Sequence, residues 1–348
     1  MTLHLWRDIM NTRKPKGEVE MKITVPEYFT QFKCIADKCR DSCCIGWQID
    51  IDELTMRKYA NIDGDIGAEI AEKTSHGYFP TDKNGRCAFL DNSGLCRIIS
   101  ALGEGYLCDI CHEHPRYYGV GVNGLEGGLG LGCEEAARII SSLSEKPRLI
   151  ETERCVHYCD EDEYAGVSAY FRNMLIDKIF TKDYFELAGL YAAYATLADE
   201  VSFDVSAKRK EIPIPKIAYT PDDGELTVKV YECMLDALRE CEALCEEWRE
   251  LLSKIPPVAP DNISRRFTKL RGILYYFTHR YVREGVEDMS LGARIIFALG
   301  ATLVIGVLAE NLECDNATAR AAVLFSKNIE YSTTNTSLII DKIYNVLE

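Results

Sequence analysis

Cys34, Cys39, Cys43 and Cys44 fall within eleven residues, F-K-C-I-A-D-K-C-R-D-S-C-C-I-G-W-Q-I-D, spaced C-x4-C-x3-C-C. Side chains of adjacent residues point in different directions in regular backbone. Flanking thiols curl back on such a doublet when something gathers them, and the species that gathers thiolates is a metal.

Further thiols follow at short spacings. Cys87 and Cys96 bracket C-A-F-L-D-N-S-G-L-C, where the turn formers Asp91, Asn92, Ser93 and Gly94 predict a hairpin-like return that sets one thiol beside the other. Cys108 and Cys111 then open C-D-I-C-H-E-H-P-R, with His112, His114, Pro115 and Arg116 behind them. C-x-x-C-H is also the covalent haem-attachment pattern. That attachment belongs outside the bacterial cytoplasm, and the N-terminal stretch has no apolar run of the length a secretory signal requires. A metal knuckle shared with the upstream cysteines is the better reading, while Cys108, His112 and His114 taken singly also fit a buried thiol and a helix end.

Gly119, Gly121 and Gly124 form a literal G-x-G-x-x-G, which as a dinucleotide loop should open a helix. Asn123-Gly124 is instead a turn signal between two alternating runs, so a β-hairpin is expected whose second strand delivers Cys133. Cys155 and Cys159 read either as a helical i, i+4 pair of second-rank ligands or equally as ordinary buried cysteines. Nine cysteines can thus be gathered by turns or short spacing: Cys34, Cys39, Cys43, Cys44, Cys87, Cys96, Cys108, Cys111 and Cys133. Structural zinc and a cubane iron–sulfur cluster each take four ligands. Nine exceed one site, so either there are two sites, or some thiols are simply buried, or one is reactive. Irregular C-x4-C-x3-C-C is closer to cluster ligation than to paired zinc knuckles, but spacing alone does not choose the metal. The radical S-adenosylmethionine spacing C-x3-C-x2-C is not met, since Gly46 follows Cys39 and Cys43 where the third cysteine would fall.

The elements that must hold these thiols can be read from pattern. The 348 residues carry fifteen cysteines, eleven of them between Cys34 and Cys159, and a net charge of −15. The acidity argues against a nucleic-acid backbone as partner. The unexported thiols are expected reduced, in the cytoplasm. Residues 1–20 are expected as a flexible extension with translation starting at Met21, residues 21–160 as a cysteine-rich metal- or cluster-binding region, and residues 161–348 as a helical domain with a loop or linker near 201–224. Asp52 is expected to cap a helix N-terminus. Apolar stripes predict helices from about Asp160 onward, then near 225–254, 261–284, 288–310 and 316–347, the last interrupted. Cys241 and Cys245 share a stripe with Leu238, Leu244 and Trp248 and read as core. Ile295–Ala309 is uncharged but falls short of the roughly 20 residues a membrane span needs, so it reads as a buried helix. No transmembrane segment is expected; peripheral association with a membrane stays open. The fold class is mainly α: a cysteine-rich N-terminal region with short β-hairpins and a metal site, packed on a C-terminal helical array.

F-K-C-x4-C-x3-C-C-I-G-W-Q-I-D-I-D, C-A-F-L-D-N-S-G-L-C-R-I, L-G-E-x2-L-C-x2-C-x3-P-R and L-G-C-E-E-A-A-R-I-I, in that order across roughly Val25 to Ile140, resemble the flagellin lysine-N-methylase family, within the wider cysteine-rich zinc- or iron-chelating domain group. The resemblance implies an S-adenosylmethionine-dependent enzyme methylating lysine side chains of flagellin in the cytosol, with a [4Fe–4S] cluster in the cysteine-rich motif. Carried over by position, the motif cysteines are Cys34, Cys39, Cys43, Cys44, Cys87, Cys96, Cys111 and Cys133, and Pro115-Arg116 is the P-R element. His114 stands where an aromatic is expected, Gly132 and Glu134 where Ser and Pro are, and Cys108 has no certain counterpart. Arg116 is expected in an ion pair and Trp47 in the core. Catalytic residues and the methyl-donor pocket are not legible. Two other readings stand beside this one: a zinc- or iron-binding module whose metal only staples the fold, and an electron carrier.

Overall fold

The computed structural model describes residues 19–40, 42–156, 163–206, 218–222, 224–257, 267–286 and 288–347. Strand β1 (Val19–Pro26) leads through two short 3-10 turns, Glu27–Gln31 and Ala36–Lys38, into the first cysteine group. A small compact segment follows: β2 (Ile49–Asp50), α1 (Glu53–Tyr59), α2 (Gly64–Lys73), β3 (Tyr78–Phe79), α3 (Arg97–Leu102) and α4 (Asp109–Glu113). Asp52 caps α1 as expected, its carboxylate accepting from the Thr55 N–H at 2.7 Å.

The chain then makes β4 (Arg116–Gly121), β5 (Gly124–Leu129), α5 (Glu134–Ser141) and β6 (Leu149–Val156). The expected hairpin is present, but its turn lies one residue earlier than Asn123-Gly124: Gly121 pairs with Gly124, and Val122-Asn123 form the two-residue loop. Gly124 takes φ +118°, a conformation open to glycine. The four-stranded sheet has the order β4-β5-β1-β6, with β1 parallel to β5 and antiparallel to β6.

The remainder is helical, so the mainly α class is present: α6 (Ala165–Ile179), α7 (Tyr184–Ser206), α8 (Glu225–Glu240), α9 (Glu246–Lys254), α10 (Arg271–Tyr281), α11 (Leu291–Glu310), α12 (Ala317–Phe325), a π-turn at Ser326–Glu330 and α13 (Thr333–Leu347). The expected interruption in 316–347 is that π-turn. Helix α11 is long and apolar enough to cross a membrane, yet 94% of its apolar window is buried inside the protein, where α7, α10 and α12 pack on it.

Two apolar cores result. The larger joins the sheet residues Ile23, Val25, Leu125 and Leu129 to the helices, and the smaller gathers Ile49, Tyr59, Phe79, Phe89, Ile98 and Cys108. Several local expectations need correction. Val19 and Glu20, placed in an extension at 1–20, already pair with Val156 and Cys155; positions 1–18 lie outside the described residues. Cys155 lies on strand β6, not on a helix, because its segment alternates as an edge partner of β1; Cys159 lies outside the described residues. Cys245 is exposed because the chain turns extended at Cys241 and again at Cys245, breaking the stripe; Cys241 and Trp248 are buried as expected. Residues 207–217 and 223, within the linker expected near 201–224, lie outside the described residues.

Candidate functional site

The first cysteine group is an irregular loop fixed by its own hydrogen bonds. The Ala36 N–H donates to the Cys34 sulfur at 3.4 Å, and the Cys39 N–H donates to the Ala36 carbonyl at 3.0 Å. The doublet is tied in two directions. The Trp47 indole N–H donates to the Cys43 carbonyl at 2.7 Å, whereas the Cys44 carbonyl accepts from the Cys87 N–H at 2.8 Å. Those two thiols also share a hydrogen bond, which raises Cys43 and lowers Cys44.

The Cys87–Cys96 segment forms as a return held by isolated bridges, Thr81 with Cys87 and Leu90 with Cys96, and not by paired strands. Asp91 supplies the chemistry of the turn: one carboxylate oxygen accepts from the Ser93 N–H at 2.8 Å and the Leu95 N–H at 2.9 Å. Cys108 stands at the N-cap position of α4 and Cys111 one turn inside it, their thiols hydrogen-bonded, which lowers Cys108 and raises Cys111. The second Asp52 carboxylate oxygen accepts from the Asp109 N–H at 3.0 Å, so one residue caps α1 and anchors the cysteine turn.

Strand β5 delivers Cys133 as expected, at the N-cap position of α5. Here distant chain enters. Gly132 lies so close to Tyr331 that a Cβ would stand 2.3 Å from the phenol oxygen, and that hydroxyl is 3.0 Å from His114 Nε2. Trp47 packs against both rings, at 6.2 Å from His114 and 5.6 Å from Tyr331. Trp47 therefore bridges the two parts of the molecule and is only half buried. Lys327, from the π-turn, donates to the Ser42 carbonyl at 3.4 Å. Arg116 lies over the rings of Phe29 and Phe32 and donates to the His112 carbonyl, in place of the expected ion pair.

Burial governs the electrostatics. It pushes Cys39 up to about 12, aided by Cys133 and Glu134, and Cys87 and Cys133 up to about 11. His114 is lowered to about 4 by burial and then by Lys327 and Arg116, so its imidazole is neutral at pH 7. Lys327 is lowered by burial, against the pull of Cys39 and Cys43. Buried thiols with raised pKa values stay protonated until a cation offsets the charge of the thiolate. Among the described residues, no three His, Cys, Asp or Glu side chains converge tightly enough to hold an ion as they are placed. The eight motif cysteines are all free thiols. An all-sulfur, partly buried donor set fits zinc or an iron–sulfur cluster and no hard cation.

Sequence reasoning missed Lys327 and Tyr331. The available signal was a lysine and a glutamate, Lys327 and Glu330, inside an otherwise apolar helical stripe.

Together the helical fold, the small sheets and the gathered thiols describe a cysteine-rich protein. The lysine-N-methylase of Salmonella typhimurium (strain LT2) is 32% identical over 149 residues, 38% of this chain and 37% of the relative. The lysine-N-methylase of Salmonella choleraesuis (strain SC-B67) matches to the same extent. The flagellar biosynthetic protein FliU of Salmonella muenchen is 32% identical over 133 residues, 35% of this chain and 79% of the relative. The chain belongs to the flagellin lysine-N-methylase family. Its match spans 37% of the length of the two methylases. No protein-family model and no solved structure matches it.

Proposed function

We propose that this protein methylates lysine side chains of flagellin in the cytosol, taking the methyl group from S-adenosylmethionine, with a [4Fe–4S] cluster held by cysteines of the motif Cys34, Cys39, Cys43, Cys44, Cys87, Cys96, Cys111 and Cys133. The observation that carries this reading is the 32% identity to the two Salmonella lysine-N-methylases. In such a transfer the lysine nitrogen, having lost its proton, attacks the methyl carbon. The carbon–sulfur bond breaks and its electron pair returns to sulfur, leaving a thioether.

This chain's residues contribute what a neutral amine requires. The wall of Trp47, His114 and Tyr331 is largely apolar and keeps His114 uncharged, and a desolvating surface of that kind lowers the pKa of an amine brought against it. Bound to the thiolates, a cluster would supply a fixed charge and a brace across the loops that carry this wall.

A second reading is favoured by one observation. Cys87, Cys96, Cys108 and Cys111 all pack with the smaller apolar core, where zinc or iron would staple the fold without taking part in a reaction.

The test is to purify the protein without oxygen, load it with iron and sulfide, and incubate it with unmodified flagellin and S-adenosylmethionine. Tryptic mass spectra should show lysines heavier by one methyl group. Flagellin that stays unmodified with metal-loaded protein overturns the methylase reading.

A further inference from the structure

We propose that the thiols form two separate metal centres, Cys34, Cys39, Cys43 and Cys133 in one, and Cys44, Cys87, Cys96 and Cys111 in the other, the chain dividing between them at the Cys43–Cys44 doublet. The inference rests only on the metal-binding half of the reading above.

The division follows from the backbone. Trp47 holds the Cys43 carbonyl and Cys87 holds the Cys44 carbonyl, so the two neighbours are fastened to different parts of the fold. Beyond Cys44 the attachment continues, with Ile45 bridged to Arg86 and the Gly46 N–H donating to Gly85 at 3.0 Å. Cys44 is thereby built into the Cys87–Cys96 return. Cys43 stays on the side of Tyr331 and Cys133.

Apart from the hydrogen bond that joins the Cys43 and Cys44 thiols, the nearest thiol neighbours fall in the same two groups. Among the strongest neighbours of Cys43 outside the doublet are Cys133 and Cys34; Cys133 is a strong neighbour of Cys39, and Cys34 of Cys133. Cys87 is surrounded by Cys44, Cys96 and Cys108, and Cys96 by Cys44 and Cys108. Cys111 has Cys108 and Cys44 as its largest thiol neighbours, with Cys43 behind them.

Each group has its own surroundings. Cys39, Cys43 and Cys133 face Lys327, at the junction between the cysteine loops and the π-turn. Cys87, Cys96 and Cys111 pack with Cys108 on the smaller core that holds Phe89 and Ile98, and Tyr59 faces Cys108, Cys111 and Cys96. Lys327 stands near Cys39, Cys43 and also Cys44, and Arg86 adds a second cation beside Cys44; both offset part of the charge that thiolates leave on a bound metal. Cys108, wholly buried in the smaller core, is the ninth thiol and backs Cys111 through their hydrogen bond. Four ligands apiece match a thiolate-bound zinc or a cubane cluster.

The experiment measures iron, zinc and acid-labile sulfide in the full chain purified without oxygen, unaltered and as two double variants, Cys39→Ser/Cys133→Ser and Cys87→Ser/Cys96→Ser, each checked for helical content by circular dichroism. Each variant should lose one part of the metal and keep the rest, the two losses adding to the whole. Loss of all metal in either folded variant overturns the proposal, as does retention of all metal in either. A second measurement needs no substitution. Alkylation of the unaltered protein under increasing chelator, mapped by mass spectrometry, should expose the two sets of cysteines in two separate steps. Exposure of all eight in a single step, or one set reactive from the start, overturns it. Methylation is read in neither measurement, so failure of the methylase reading is seen separately.

Discussion

The Cys87 N–H donates to the carbonyl oxygen of Cys44 at 2.8 Å, joining the Cys87–Cys96 return to the cysteine doublet across forty-odd residues of chain. Gly85 makes the crossing close. It adopts φ +72°, and a Cβ there would stand 3.2 Å from the Gly46 nitrogen. Gly85→Ala is expected to destabilise this crossing by about 1–2 kcal/mol, from left-handed backbone strain plus a tight contact. Hydrogen exchange checks it: the Cys87 amide should lose protection while amides of α11 keep theirs.

Glu126 is held between two buried guanidinium groups. Arg172 meets it at 2.5 Å and Arg283 at 3.3 Å, both arginine side chains only 5% exposed. Glu126→Gln keeps the shape but leaves two buried cations without their anion, which should cost about 3–5 kcal/mol. Urea denaturation should show the midpoint moved down with little change in slope. A shift below about 1 kcal/mol, the range of exposed pairs, would mean that solvent reaches this trio.

Gly132→Ala places a methyl group against the Tyr331 ring, where its Cβ would stand 2.3 Å from the hydroxyl oxygen. The ring must move, which breaks the 3.0 Å contact with His114 and the packing on Trp47. We expect a loss of about 1–3 kcal/mol, as for overpacking elsewhere. Near-ultraviolet circular dichroism of the aromatic side chains should change while the far-ultraviolet signal stays. An unchanged near-ultraviolet spectrum would show that the phenol is not held as described.

Asp199 gives the stability a pH dependence. Burial raises its carboxyl to about 6 from an ordinary 3.8, against the lowering effect of the Gly292 N–H that donates to it at 3.2 Å. Between about pH 4 and 6 the folded chain holds a proton that the unfolded chain has released, so this contribution is full below 4 and is lost as pH rises through 6. The side chain is only partly buried, so solvent screening reduces the effect to about 1 kcal/mol. Asp199→Asn should therefore be more stable than the unaltered protein at pH 7 and equal to it at pH 4. Thermal melts at the two pH values check the sign, and a gain at pH 4 alone would reverse it.

Much of this molecule was legible in short stretches of sequence. The Asp52 cap, the Val122-Asn123 hairpin, the buried helix at Leu291–Glu310 and the break within 316–347 each depend on residues a few positions apart. Local sterics and periodicity settle such features before any tertiary contact forms.

Other features were decided only by long-range packing. Nothing local states that β1 lies parallel to β5, that Cys155 sits on a strand paired with Glu20, or that Cys245 turns outward. Above all, Lys327 and Tyr331 reach the cysteine loops because the helices bury their apolar faces together and carry the π-turn to Ser42 and Gly132. The sequence by itself determined which residues could bind a metal, since that follows from side-chain chemistry. Which thiols meet, and which cation and aromatic ring face them, came from the free energy of burying two cores, a property of the whole chain that no stretch of it contains.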